Sequence, residues 1–261
     1  MGPLYIYAIT TRAGAQVWGR IGVEGAPLLS LPYRDIAAVV SPLTAARVEA
    51  TPANVWVHEE IVEALMQFSA VLPMRWGTVL PGLRQLFAVL EAYYAAFVAA
   101  LERVQTRVEL GLRVLWDDDI GRAPSAASAR AGASGSAGGP GRLYLMLRVE
   151  EDRRARAERQ RALGVVENIH SPLSRLAAES VREVLLTPRM LLAAAYLVDR
   201  ERVDAFRAEA HALALASPAL RFLLTGPWPP YHFVTGCVPA EALLAEHPPS
   251  TEHTPQWRGG G

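Results

Sequence analysis

Residues 117–141 constrain this chain more than any other stretch. After an acidic run, Asp117, Asp118 and Asp119, the sequence reads IGRAPSAASARAGASGSAGGPG. Side chains this small bury too little apolar area to offset the entropy lost on ordering them. The stretch is predicted to be a flexible Ala/Ser/Gly linker over 118–141, so each flank must build its own core. With 261 residues, 51% of them hydrophobic, the flanks have the material. The expected organisation is an N-terminal domain over 1–117, a C-terminal domain over 142–240 and a tail over 241–261. Gly132, Gly135 and Gly138 imitate a phosphate loop, but they follow no strand–helix unit and their spacing is G-x-x-G-x-x-G.

Before the linker, short strand-like runs alternate with helical patterns. Leu4 to Ile9 is rich in strand formers, and Ile36 to Val40 is an apolar run closed by Ser41-Pro42. Thr51 and Pro52 offer an N-cap and a proline at the first helical position. Val57, Ile61, Leu65 and Phe68 then share a helical face. VLPMRWGTVL, Val71 to Leu80, reads as one strand, with Arg75 among the apolar residues. The strongest periodic stripe, from Leu83 through Leu90, Phe97 and Leu101 to Val108, predicts one long helix. Glu109 to Trp116 closes this half as a strand. The order β-β-α-β-α-β predicts an antiparallel sheet with helices on one face, an α+β sandwich of ferredoxin-like type.

After the linker, a charged helix is predicted from Leu143 to about Leu163. Its arginines 148, 153, 154, 156, 159 and 161 are mixed with Glu150, Glu151, Asp152 and Glu158. Ion pairs along a solvated face explain this mixture better than a nucleic-acid patch does. A second helix is predicted through Leu173, Leu176, Ala177, Val181, Val184 and Leu185, followed by a strand over Met190 to Val198. Next comes a helix from Arg200 to about Ala216, with Val203, Phe206, Ala210 and Leu213 facing inward. Strands over Leu220 to Thr225 and His232 to Val238 complete the half. The fold class is therefore α+β, with two α/β-sandwich-type domains, and the tail from Glu241 is loosely held.

Charge and composition remove several functions. The 26 basic and 26 acidic side chains cancel, so the excess Lys/Arg behind general nucleic-acid or anionic-membrane binding is missing. All the basic residues are arginine. Without lysine neither a Schiff base nor a Walker A loop is possible. The single cysteine, Cys237, excludes an intramolecular disulfide and a Cys-rich metal cluster, and fits a reduced compartment. The start, MGPLYIYAIT, lacks the basic and apolar regions of a signal peptide. The uncharged run Ala92 to Leu101 falls well short of the roughly 20 residues of a membrane span. A cytoplasmic protein is expected.

Four groups carry residues capable of chemistry. His58-Glu59-Glu60 lacks the second histidine of a zincin, since position 62 is valine. It reads as the polar flank of a helix, with an acid–base pair or a structural hydrogen bond from His58 as alternatives. Arg75 in an apolar strand needs an acidic or backbone partner, such as Glu59 or Glu63, or else anchors a ligand. Cys237 reads as core rather than as a nucleophile served by His232. Asp117 to Asp119 reads as a solvated turn, without EF-hand spacing. No catalytic, cofactor or metal site is expected.

The motifs so placed are LYIYAIT, IAAVVS, WVHEEIVEALM, VLPMRWGTVL, ELGLRVLW and LLTGPWPPYHFV. Together they resemble the gas vesicle protein GvpL/GvpF family from about Leu4 to Val238, skipping the linker and tail. LPMRWGT (Leu72 to Thr78) and TGPWPPYHF (Thr225 to Phe233) are the specific parts. The linker is longer than the family needs, and the tail's HPPSTEHTPQWRGGG is idiosyncratic. The resemblance implies a ferredoxin-like N-terminal domain and a second α+β domain. It also implies a non-enzymatic, minor component of the gas vesicle, a gas-filled shell built from a small, very hydrophobic subunit. The implied partners are the major shell protein, whose assembly it helps to initiate, and other accessory proteins, with no cofactor, nucleic acid or membrane. A subunit with so apolar a face aggregates in water, and an accessory protein could cover that face or its strand edge. The expected contacts are Arg75 with Trp76, His58 and Glu59, and the turn Trp228, Pro229, Pro230 and Tyr231, because Trp, Tyr and Arg dominate interface energetics. Packing inside the protein is the alternative for that turn. A small-ligand regulatory module is the alternative function.

Overall fold

The computed structural model describes residues 2–14, 19–116, 140–185, 187 and 189–234. Asp117 to Asp119, residues 118–139 of the expected linker, Cys237 and the tail lie outside them. The chain divides into two compact units, one running to Glu102 and resuming at Val234, the other spanning Arg103–Phe233.

The first unit contains β1 (Leu4–Thr11), β2 (Leu29–Tyr33), β3 (Ile36–Pro42), α1 (Pro52–Phe68), β4 (Val71–Pro73), β5 (Val79–Leu80), α2 (Leu83–Ala92) and most of α3 (Tyr94–Val104). Its antiparallel sheet runs β2-β3-β1-β4, with β5 also on β1. Residues Leu4 to Thr10 are buried without a break, which suits a central strand covered on both faces. α1 begins as the sequence predicts, with Thr51 Oγ1 accepting the Asn54 N–H at 3.2 Å. Its inner face is His58, Ile61, Val62, Leu65 and Met66. Phe68, expected inside, is 72% exposed at the last position of the helix. The face is rotated because the His58 ring, not Val57, is the side chain anchored to β1.

Two other expectations for this half are corrected. The long helix is two helices bent by 72° around Tyr93, whose φ of −109° and ψ of 13° are not helical. The apolar stripe is continuous through the bend, so periodicity alone hides it. Among the described residues no single helix is long and apolar enough to cross a membrane. The strand expected over Val71 to Leu80 is interrupted. Its ends pair with β1 while residues 74–78 leave the sheet opposite the irregularity at Tyr7 in β1.

The second unit contains β6 (Arg107–Trp116), α4 (Pro140–Ser174), β7 (Glu179–Val184), β8 (Met190–Asp199), α5 (Val203–Ala216), β9 (Leu220–Trp228) and the start of α6 (Tyr231–Val234). β6 was expected to close the first half. It is instead an inner strand of the second sheet, antiparallel to both β8 and β9 in the order β7-β8-β6-β9. The core explains the allegiance. Leu110, Leu112 and Val114 of β6 pack with Leu192, Tyr196 and Val198 of β8 beneath Val166, Ile169 and Leu173 of α4 and Phe206 and Ala210 of α5. α4 is longer than predicted, and the predicted second helix is largely the edge strand β7. There ESVREV alternates, and Arg182 points to the helix side, where it pairs with Glu167 of α4 at 2.8 Å. β9 runs on through Gly226-Pro227, and His232 to Val234 is helical rather than a strand.

Candidate functional site

The first candidate group sits where β4 gives way to β5. Arg75, Trp76, Gly77 and Thr78 form a turn closed by the Thr78 N–H and Oγ1, which donate to the Arg75 carbonyl at 3.1 and 2.7 Å. Gly77 has φ +82°, the value a type II turn requires at its third residue. Arg75 is therefore exposed on a turn, not buried in a strand, and needs no acidic partner. Trp76 is half-buried, with ring centroids 5.6 Å from Tyr5 and 5.7 Å from His58.

His58 is fully buried. Its Nδ1 lies 2.9 Å from the Tyr5 hydroxyl, its ring stacks on Tyr7, and it bonds the Met74 backbone. Burial holds the imidazole down at about 4, despite that backbone bond. Burial likewise raises the Tyr5 and Tyr7 phenols. The Tyr7 hydroxyl also takes the Val23 N–H at 2.8 Å and meets Ser41 Oγ at 3.0 Å. The cluster is satisfied and enclosed, so of the two alternatives left by the sequence His58 takes the structural one. It fixes the floor on which the Arg75 turn stands. Glu59, its neighbour on α1, is half-exposed.

Sequence reasoning missed Trp56, which is 68% exposed on α1. Its signal was available, because a tryptophan off the inward stripe of an amphipathic helix has no core to enter.

The second candidate group lies at the end of β9. Trp228 is 42% exposed, Pro229 and Pro230 are buried, and Tyr231 is half-buried. The prolines thus hold the turn rather than present it. Gly226, with φ +106°, lets β9 approach β6 so closely that a Cβ would stand 2.7 Å from the Glu109 carbonyl oxygen. Glu109 is itself buried and accepts the His232 backbone N–H at 2.9 Å, with His232 Nδ1 at 2.6 Å. This pairing was not predicted, since it joins residues far apart in sequence.

Trp228 borders a groove of about 430 Å³ on the face of the second sheet opposite α4 and α5. Gly111, Ala193 and Ala195 form its floor, and Val181 and Leu223, each nearly half exposed, stand at its sides. Among the described residues no three His, Cys, Asp or Glu side chains converge as a metal site would need.

The described residues form two α+β units, with their candidate residues on exposed turns or in the packing beneath them. The family described as gas vesicle synthesis protein GvpL/GvpF matches residues 3–235, and the chain belongs to that family. Gas vesicle protein L of a Streptomyces species is 31% identical over 252 residues, covering 88% of this chain and 91% of that protein. Gas vesicle protein F2 of Halobacterium salinarum is 28% identical over 242 residues, covering 91% and 94%. The fold is similar to the crystal structure of GvpF from Microcystis aeruginosa, with a TM-score of 0.69 at 19% identity over 90% of this chain and 99% of that one. GvpF from Anabaena sp. PCC7120 gives 0.68 at 18% identity, covering 90% and 96%. The chain thus has a role in gas vesicle formation and associates with other gas vesicle proteins.

Proposed function

We propose that this chain is a minor, accessory component of the gas vesicle that binds the major shell protein and assists the initiation of assembly, without making or breaking a bond. The observation that carries the reading is the Arg75 turn. An exposed arginine is held out by a glycine-dependent turn over a rigid aromatic floor of Tyr5, His58 and Trp76. Such pre-organisation lowers the ordering cost of binding. Arg75 and Trp76, with Glu59 and Trp56 of α1, form the contact in the first unit. Trp228, placed by Pro229, Pro230 and Tyr231, forms a second. The β-α-β-β-α-β order of the second unit supports assigning the ferredoxin-like arrangement to that unit rather than to the first.

Immobilised full-length chain should retain the shell subunit. Arg75→Ala is expected to weaken retention about tenfold, as loss of an interface anchor does. Trp228→Ala reads the second surface in the same assay. Both positions are exposed, and circular dichroism checks that the variants remain folded. If both retain as much shell subunit as wild type, these contacts are misassigned. If wild type retains none, the proposed function fails.

A further inference from the structure

We propose that the exposed arm of α4 in one copy of this chain docks across the outer face of the second sheet in another copy. The two halves of α4 differ completely. Ala162, Val166, Ile169 and Leu173 are buried on the inner face of the sheet, whereas every residue from Leu145 to Arg161 is exposed. The bare arm includes Leu145, Met146, Leu147 and Val149, each at least half exposed. Most of a helix's stability in a protein comes from packing an apolar face, and this arm has none packed. On the outer face of the sheet Arg113, Val181, Glu183 and Leu223 are exposed around the Gly/Ala floor. α4 is one continuous helix whose second half is fixed to the inner face, so a chain's arm does not reach its own outer face. A second copy's arm can.

Chemistry and spacing both favour the second copy as occupant. At 3.6 residues per turn, Leu145, Val149, Asp152, Arg156 and Arg159 form one stripe along the arm. Along the axis Val149 and Asp152 are about 4.5 Å apart, and Asp152 and Arg159 about 10.5 Å. On the sheet Leu223, Arg113, Ala193 and Glu183 form one row across β9, β6, β8 and β7. Leu223 and Arg113 are one strand apart, about 4.8 Å, and Arg113 and Glu183 two strands apart, about 9.6 Å. Val149 thus meets Leu223, Asp152 meets Arg113, and Arg159 meets Glu183, with the stem of Arg156 over Ala193. None of Arg113, Glu183, Asp152 and Arg159 forms an ion pair with another described residue. The row lies four residues along β6 from Glu109, the partner of Trp228, within the same groove.

Sedimentation velocity on the full chain, up to about 100 μM so that modest affinities register, tests the contact. Wild type should self-associate. Arg113→Asp and Asp152→Arg should each weaken the association about tenfold or more, because each sets like charges face to face. The double variant should return to within about threefold of wild type, since coupling between touching residues is what a double-mutant cycle detects. Both positions are exposed, so folding is not at stake. A wild-type chain that stays monomeric, single variants that associate like wild type, or a double variant no better than the singles would overturn the proposal. The shell-subunit pull-down is independent of all three outcomes.

Discussion

Gly226→Val should unfold the second unit at temperatures where wild type is fully folded. The added Cβ would stand 2.7 Å from a backbone oxygen, that of Glu109, and 3.1 Å from Leu110 Cδ2. A backbone atom in the middle of a sheet has nowhere to go. The φ of +106° is also one that a β-branched residue adopts only under strain. Together the two effects are expected to cost about 3 kcal/mol or more, a large share of the stability of a domain this size. The clash acts on β6, whose neighbours β8 and β9 both depend on it. Thermal unfolding followed by circular dichroism should show a fall of many degrees, and Trp228 and the Glu109–His232 pair should lose their places. A melting temperature within a few degrees of wild type would show that β9 can shift away from β6, contrary to the packing described.

The second large effect is acid sensitivity set by His58. In the folded chain its imidazole titrates at about 4 because it is buried, whereas in the unfolded chain it returns to its ordinary value of about 6.5. Between those values the unfolded state binds more protons. Stability therefore falls as pH drops through this window and is complete above it. The loss from this group is about 2 kcal/mol at pH 5 and about 3 kcal/mol near pH 4. His170, whose Nδ1 lies 2.9 Å from the buried Tyr196 hydroxyl, is depressed by burial and then by the Arg182 charge, and contributes with the same sign. Urea unfolding of wild type and His58→Asn at pH 7 and pH 5 separates His58 from the carboxylates common to both. The variant should be less stable at pH 7 but lose much less on acidification. Equal losses in the two proteins would mean that His58 charges freely in the folded state.

Each unit therefore carries a tyrosine on an inner strand bonded to a histidine on the helix above it, Tyr5 with His58 and Tyr196 with His170. Neither pair is visible as a motif, because 53 and 26 residues separate the partners. Local features were readable. β1, β3, β8 and α5 follow from apolar runs and spacing, and α1 starts at the Thr51–Pro52 signal. What depends on pairing at a distance was not. β6 reads as the end of the first half because sequential strands are usually neighbours, yet its partners lie beyond α4. β7 carries apolar residues at helical spacing and is still a strand, because its backbone completes the sheet edge beside β8. Arg75 was found by its odd place in an apolar run. Its turn was not, because Gly77 was read as part of an alternating strand rather than as a residue with positive φ. The reverse holds for Pro229 and Pro230, whose composition suggests a presented loop although both are buried.

Co-expression of this chain with the major shell protein is the most direct measurement of the proposed role. The shell subunit alone should enter the insoluble fraction, as a protein with a large apolar face does. With the chain present, a complex containing both should remain in the supernatant and co-elute on size exclusion, and Arg75→Ala should return the subunit to the pellet. A folded wild-type chain that elutes alone while the shell subunit stays insoluble would contradict a shell-binding role in assembly.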